Sequence, residues 1–183
     1  TYVQDDMLVG LGTGSTVYYT LLAIGKRIKE EGLRIQGMPT SQNTEQLAQE
    51  LGIPLIGFRD TQQLDMTIDG ADEINPDLAL IKGGGGALYR EKMVASISDK
   101  LLIIAHQTKY VDQLGKFPLP VEVVPFGFEI TQARIQDLGG NPVLRSTKMG
   151  KYKTDNGNYI LDCEFGSIPD PAALNTQLKS MTG

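Results

Sequence analysis

The sequence predicts an α/β fold: a doubly wound, mostly parallel sheet with a second, smaller α+β domain behind it. Three observations predict it. Short apolar runs of strand length alternate with helix-period segments through the first part of the chain, joined by short connections. Glycines gather in two clusters, each between a strand and a helix. A proline-rich stretch then gives way to a β-α-β-β-α order.

Each element has its own signal. Met7–Leu11 is an apolar run, followed by Gly10-Leu11-Gly12-Thr13-Gly14-Ser15-Thr16. Val17, Leu21, Ile24 and Ile28 then recur at helical spacing, with Lys26, Arg27 and Lys29 toward the end that favours cations and Gly32 as the stop. A strand is expected at Ile35–Met38. Asn43 and Gln46 suggest a capping box for a helix carrying Leu47 and Leu51, closed by Gly52. Ile53–Phe58 and Leu64–Ile68 read as strands, Asp69–Glu73 as a loop, and Leu78–Ile81 as a strand entering Lys82 and four glycines. A helix over about Ala87–Ser98 and a buried strand at Leu101–Ala105 complete a Rossmann-like domain, assigned to residues 1–117.

Pro118, Pro120 and Pro125 frame a strand at Val121–Val124 and mark the boundary. A helix at Phe128–Leu138, a strand near Asn141–Arg145, an Asp155-Asn156-Gly157-Asn158 hairpin turn, a strand at Tyr159–Glu164 and a helix at Pro171–Met181 follow. This is a ferredoxin-like unit over residues 118–183 without its last strand. The chain also begins almost directly on a strand, so a fragment truncated at both ends is expected.

Composition excludes several functions. Of 183 residues, 40% are hydrophobic and 21% charged, an ordinary balance for a globular core. A formal net charge of −5 supplies no basic field for nucleic acid. No apolar run approaches the roughly 18 residues of a membrane helix. The lone Cys163 can form no disulfide within the chain and fits a reducing compartment. With His106 as the one histidine, neither a His/Cys zinc site nor a serine triad with a spare candidate can be built. Carboxylates, lysines and backbone amides must carry any chemistry.

Four segments offer that chemistry. Gly10–Thr16 puts glycines and hydroxyls at a helix N-terminus, where free amides and the dipole attract anions; Thr13, Ser15 and Thr16 can add donors. It matches neither the dinucleotide fingerprint nor Walker A, and a plain strand–helix turn with a hydroxyl cap is the alternative. Asp69-Gly70-Ala71-Asp72-Glu73 sets three acids at a strand's carboxyl end, where open α/β sheets bind ligands; a metal or a merely solvated loop would fit equally, and Glu73 looks the exposed member. Four glycines, Gly83–Gly86, cost backbone entropy and suit close approach or an amide nest, the alternative being a flexible linker. Glu91, on a helical face with Ala87, Leu88, Val94 and Ala95, is expected to point inward, and burial makes a carboxylate a better base near neutrality. A buried pairing with Lys82 is the other reading of the same face. Lys109 could close the anion site or be a surface lysine; His106, Cys163, Tyr18 and Tyr19 read as hydrogen-bonding or packing residues. Such a set could hold a phosphorylated metabolite and move a proton beside a carbonyl, with no metal required.

These segments, together with the stretch Leu114–Pro125 and the hairpin Thr154–Asp162, resemble ribose-5-phosphate isomerase of the A type over most of the chain. The resemblance implies interconversion of ribose 5-phosphate and ribulose 5-phosphate in the pentose phosphate pathway, without metal or organic cofactor. It implies Glu91 as the proton-shuttling base and Lys82 as stabiliser of the enediolate. Asp69 and Asp72 would assist ring opening and bind sugar hydroxyls. Thr13, Gly14, Ser15, Thr16 and Lys109 would hold the phosphate, with Gly83, Gly84 and Gly85 lining the substrate. It further implies a homodimer or homotetramer, in the cytoplasm or, for a photosynthetic eukaryote, the plastid stroma. His106-Gln107 stands where that family often has an acidic residue, which argues against a catalytic histidine. Two rivals differ in class. A sugar-phosphate-sensing domain of a transcription regulator needs the cradle but neither Glu91 nor Lys82. An acyl-CoA transferase relative would use a glutamate nucleophile and need a longer chain.

Overall fold

The structure, a computed structural model, describes residues 2–183. In chain order it contains β1 (Met7–Leu11), α1 (Ser15–Glu31), β2 (Ile35–Pro39), α2 (Gln42–Glu50) and β3 (Met66–Asp69). Next come β4 (Glu73–Ile74), β5 (Leu80–Ile81), α3 (Leu88–Ser96), β6 (Leu101–Ile103) and a 3₁₀ turn at Gln107–Lys109. The remainder is β7 (Leu119–Val123), α4 (Phe128–Asp137), β8 (Asn141–Leu144), β9 (Ser146–Thr147), β10 (Gly150–Lys151), β11 (Tyr159–Glu164) and α5 (Pro171–Lys179). Packing groups the chain into two compact units, each made of two stretches. One runs to Gly70 and resumes at Tyr89–His106; the other is Ala71–Leu88 with Gln107–Gly183.

In the first unit four parallel strands form a sheet in the order β2-β1-β3-β6. Alternation along β1 shows why helices must cover both faces. Val9 and Leu11 join Ile35, Ile68 and the α1 residues Val17, Leu21 and Ile24 in one core. Gly10, pointing the other way, lies under Val94 of α3, in a second core with Met38 and Leu64 nearby. Each fully buried aliphatic side chain is worth about 1.5–3 kcal/mol, so the two cores fix the layering. From β1 the chain passes to β2 on one side, then returns to β3 on the other. The carboxyl ends of β1 and β3 therefore form a topological switch point, where such sheets open a crevice.

Three expected elements differ here. Ile53–Phe58 makes a single bridge, Gly37 to Leu55, rather than a strand, because Pro54 has no N–H for a ladder and Gly57 is tied to Asp60 in a turn. The α2 cap is Ser41, whose hydroxyl accepts from Thr44 N at 3.0 Å; Asn43 lies inside the helix. The strand at Leu101 is shorter and less buried than expected because β6 is the sheet's edge.

In the second unit β11 lies between β7 and β8 and is antiparallel to both. With α4 and α5 this is the ferredoxin-like arrangement, its core built from Val123, Phe128, Ile135, Leu161 and Cys163. A small β9–β10 hairpin is an addition that the sequence pattern did not announce. β4 and β5 pair antiparallel across a turn at Asn75–Leu78, where Asn75 Oδ1 accepts from Ala79 N at 2.8 Å. The Asn-Gly turn forms as expected: Gly157 N donates to Thr154 O at 2.9 Å, and Glu122 Oε1 accepts from Thr154 Oγ1, Asn156 Nδ2 and Asn158 Nδ2. Among the described residues no helix is long and apolar enough to cross a membrane.

Candidate active site

The expected site residues fall on both units. Thr13, Gly14, Ser15, Thr16, Asp69 and Glu91 belong to the first; Asp72, Lys82, Gly83, Gly84, Gly85 and Lys109 belong to the second.

In the first unit the loop after β1 crosses directly to β3. Gly12 N donates to Ile68 O at 2.9 Å, and the fully buried Asp69 accepts from Thr13 N at 3.2 Å and from Gly70 N at 2.7 Å through one carboxylate oxygen. Gly14 caps α1 at φ 120°, a left-handed conformation that disfavours any side chain. No side-chain cap occupies the helix start, and Ser15 and Thr16 are exposed. Free first-turn amides beside two available hydroxyls make an anion cradle.

The floor of this cradle is a hydroxyl cluster. Thr13 Oγ1 lies 2.8 Å from Thr40 Oγ1, 2.9 Å from Ser41 Oγ and 3.2 Å from Thr44 Oγ1. Thr40 Oγ1 also donates to Leu11 O at 3.0 Å and Thr44 Oγ1 to Gly12 O at 2.9 Å. Thr40, Ser41 and Thr44 are all buried. The Thr13 hydroxyl thus works inside the loop, in contrast to Ser15 and Thr16. Thr40 and Ser41 follow β2 at the same carboxyl edge, and that placement is the signal that would have found them. Tyr18 and Tyr19 do not pack into the core: both are exposed and meet edge to face at 5.5 Å. With Asn43, Gln46 and Glu50 they line a groove of about 540 Å³ between α1 and α2.

Glu91 is buried, with 5% of its surface exposed, in the first turn of α3. Val94, one turn on along the helix, is buried as well, as is Ala87 just before the helix.

In the second unit the tetraglycine loop is held by hydrogen bonds. Gly84 N donates to Asp72 Oδ2 at 2.8 Å, and Gly86 N to Gly83 O at 2.9 Å. A Cβ on Gly84 would lie 2.6 Å from Asp72 Oδ1, so this glycine is required by close approach. Lys82 is half-buried. Lys109 sits on the 3₁₀ turn after β6, its ammonium 5.5 Å from the Phe117 ring centroid. Glu73 overturns the expectation of exposure. It is 3% exposed and accepts from Gly115 N at 2.8 Å and Phe117 N at 2.7 Å, anchoring the 115–117 segment. Residues that far along the chain carried no local sign that they would need a carboxylate. Among the described residues no cluster of three or more His, Cys, Asp or Glu is arranged to hold a metal ion.

The chain is similar to known proteins in sequence and in fold. The sequence family described as Ribose 5-phosphate isomerase A (phosphoriboisomerase A) matches residues 36–183. Ribose-5-phosphate isomerase A of Bacillus mycoides is 54% identical over 183 residues, covering 100% of this chain and 82% of that protein. The solved ribose 5-phosphate isomerase A of Methanocaldococcus jannaschii superposes with a TM-score of 0.95 at 38% identity, covering 100% of this chain and 82% of the other. A D-ribose-5-phosphate isomerase solved in complex with phospho-erythronic acid gives 0.96 at 35% identity, with coverage of 100% and 81%. A family match over most of the chain, identity far above 30% and a shared fold agree, and the chain belongs to the ribose 5-phosphate isomerase A family.

Proposed function

We propose a residue-level account of how this isomerase interconverts ribose 5-phosphate and ribulose 5-phosphate in the pentose phosphate pathway. The phosphate is held by the α1 cradle, with first-turn amides and the Ser15 and Thr16 hydroxyls as donors. Thr13 and Gly14 shape that cradle, and Lys109 adds a positive charge. Asp69 and Asp72 bind sugar hydroxyls and assist opening of the furanose ring. Glu91 removes the proton from C2 of the open-chain aldose. Charge that develops on the enediolate oxygen is met by the Lys82 ammonium and by amides of Gly83 and Gly85, while Gly84, its N–H held by Asp72, lines the substrate. The O2 proton passes to O1, and Glu91 returns its proton to C1, which gives the ketose.

The observation that carries this reading is the buried glutamate in the first turn of α3, the helix that follows a lysine and four glycines in the chain. A carboxylate in such surroundings suits proton abstraction better than solvation. The homologue that binds phospho-erythronic acid supports a ligand carrying phosphate at one end and oxygen-rich carbon at the other. The enzyme acts as a homodimer or homotetramer in the cytoplasm, or in a plastid stroma; nearly full exposure of Phe126 and Met149 supports an assembled state.

Glu91→Gln tests the account. Turnover should fall by about 10²–10⁴-fold while sugar-phosphate binding persists. Undiminished turnover, assayed in chelator, would remove Glu91 from the role of base.

A further inference from the structure

The geometry points to Arg145 as a positioning residue that sets the orientation of the tetraglycine loop for the isomerisation. Arg145 lies between β8 and β9, far in sequence from every candidate site residue. Its Nε donates to Asp162 Oδ2 at 2.9 Å, and Nη2 donates to Asp162 Oδ1, a bidentate pair with the central strand β11. Nη1 reaches the other way, to Gly83 O and Gly84 O, each at 3.1 Å. Four of the five guanidinium donors are therefore used, a fork that lysine could not reproduce. The planar group is further confined by the Tyr152 ring, 5.7 Å from its carbon, and a Cβ on Gly86 would lie 2.7 Å from Tyr152 Cζ. With side-chain exposures of 16% and 28%, the ion pair is shielded enough to hold its geometry.

What this brace does follows from peptide geometry. In a trans peptide the C=O and N–H point in opposite directions, and no cis bond interrupts the described chain. The Gly83–Gly84 peptide is caught at both ends, its oxygen by Arg145 and its N–H by Asp72. In the Gly84–Gly85 peptide the oxygen is held by Arg145, so the Gly85 N–H faces away from the guanidinium. Glycine has the freedom to turn these planes over, and the guanidinium removes it. A preorganised amide donor contributes to a transition state because it need not reorient when charge appears. Arg145 thereby acts on the reaction through the loop. The inference rests on the account of Glu91, Lys82 and the glycine amides given above.

The test measures kcat, KM and melting temperature for Arg145→Ala and Arg145→Lys. Arg134→Ala, an exposed arginine on α4, serves as the control. The expected result for Arg145→Ala is a fall in kcat per folded molecule of about 100-fold, comparable to loss of an oxyanion donor, with KM nearly unchanged. Guanidinium ion, added well below denaturing concentration, should restore part of the turnover, and methylammonium at equal ionic strength should not. If Arg145→Ala does not fold, Arg145→Lys decides on the same kcat-against-KM criterion. Parental kcat, or a loss that only follows the folded fraction, overturns the inference. Glu91→Gln run beside them separates the two levels: full activity there overturns the catalytic account, whereas an inactive Glu91→Gln with an unaffected Arg145→Ala overturns the brace alone.

Discussion

Two glycine loops of this protein are each pinned by an aspartate and differ in what lies behind them. In the first unit Asp69 takes the N–H groups of Thr13 and Gly70, and the support is a neutral cluster of Thr13, Thr40, Ser41 and Thr44 hydroxyls. In the second unit Asp72 takes Gly84 N, and the support is the charged Arg145–Asp162 pair. The contrast follows from what each loop presents. The first offers a helix start to an anion and gains from hydroxyls that satisfy its carbonyls without adding charge. The second consists of residues without side chains, whose peptide planes can be oriented only from outside. Binding and turnover should accordingly separate between the two loops.

Gly84→Ala would break the second loop most severely. Its new methyl group meets the Asp72 carboxylate at 2.6 Å, so the loop or the aspartate must move. We expect kcat to fall about 100-fold or more with KM changed little, measured by steady-state isomerisation. A change in KM alone would erase the contrast. Thr44→Val tests the first loop. It removes the donor to Gly12 O and a member of the buried cluster, which should cost about 1–3 kcal/mol of stability in denaturant unfolding. KM should rise with kcat largely kept; a kcat loss equal to that of Gly84→Ala would show that the loops do not divide the work.

Cys163 sharpens the comparison from the core of the second unit, where it follows Asp162 on β11. Burial first, and the Asp162 charge second, push its thiol up to about 12 from an ordinary value of 9.0. Native protein should leave a thiol reagent unreacted at neutral pH and react on unfolding. The sign of the linkage is fixed: the unfolded chain loses the proton first, so stability is unaffected below about 9 and declines as pH rises toward 12. Reaction in the native state at the rate of a free thiol would contradict the buried placement.

Much of this was legible in the sequence because it rested on local patterns. The period of Val17, Leu21 and Ile24, the stop at Gly32 and the Asn156-Gly157 turn each act within a few residues. Glu91 was readable as buried because its helical neighbours are apolar. What escaped notice depends on partners distant in the chain. Glu73 looked exposed beside turn residues, yet it is buried by amides more than forty positions away. Arg145 reaches back across sixty-two residues to Gly83. Pro54 was visible, and its missing N–H should have removed the strand at Ile53–Phe58. Ser41 rather than Asn43 caps α2 because the chain turns helical at Gln42, a backbone choice that residue type alone does not decide.

The Asn156-Gly157 turn has a consequence for how the protein ages. An asparagine followed by glycine is prone to deamidation, in which the glycine nitrogen attacks the side-chain amide, ammonia leaves, and water opens the resulting imide. Here that nitrogen is donating its hydrogen to Thr154 O, and Glu122 accepts from the Asn156 amide, so nucleophile and target are both restrained. Folded enzyme should keep this asparagine through long storage, whereas unfolded chain should convert it, and peptide mapping of stored samples would reveal any failure of that protection.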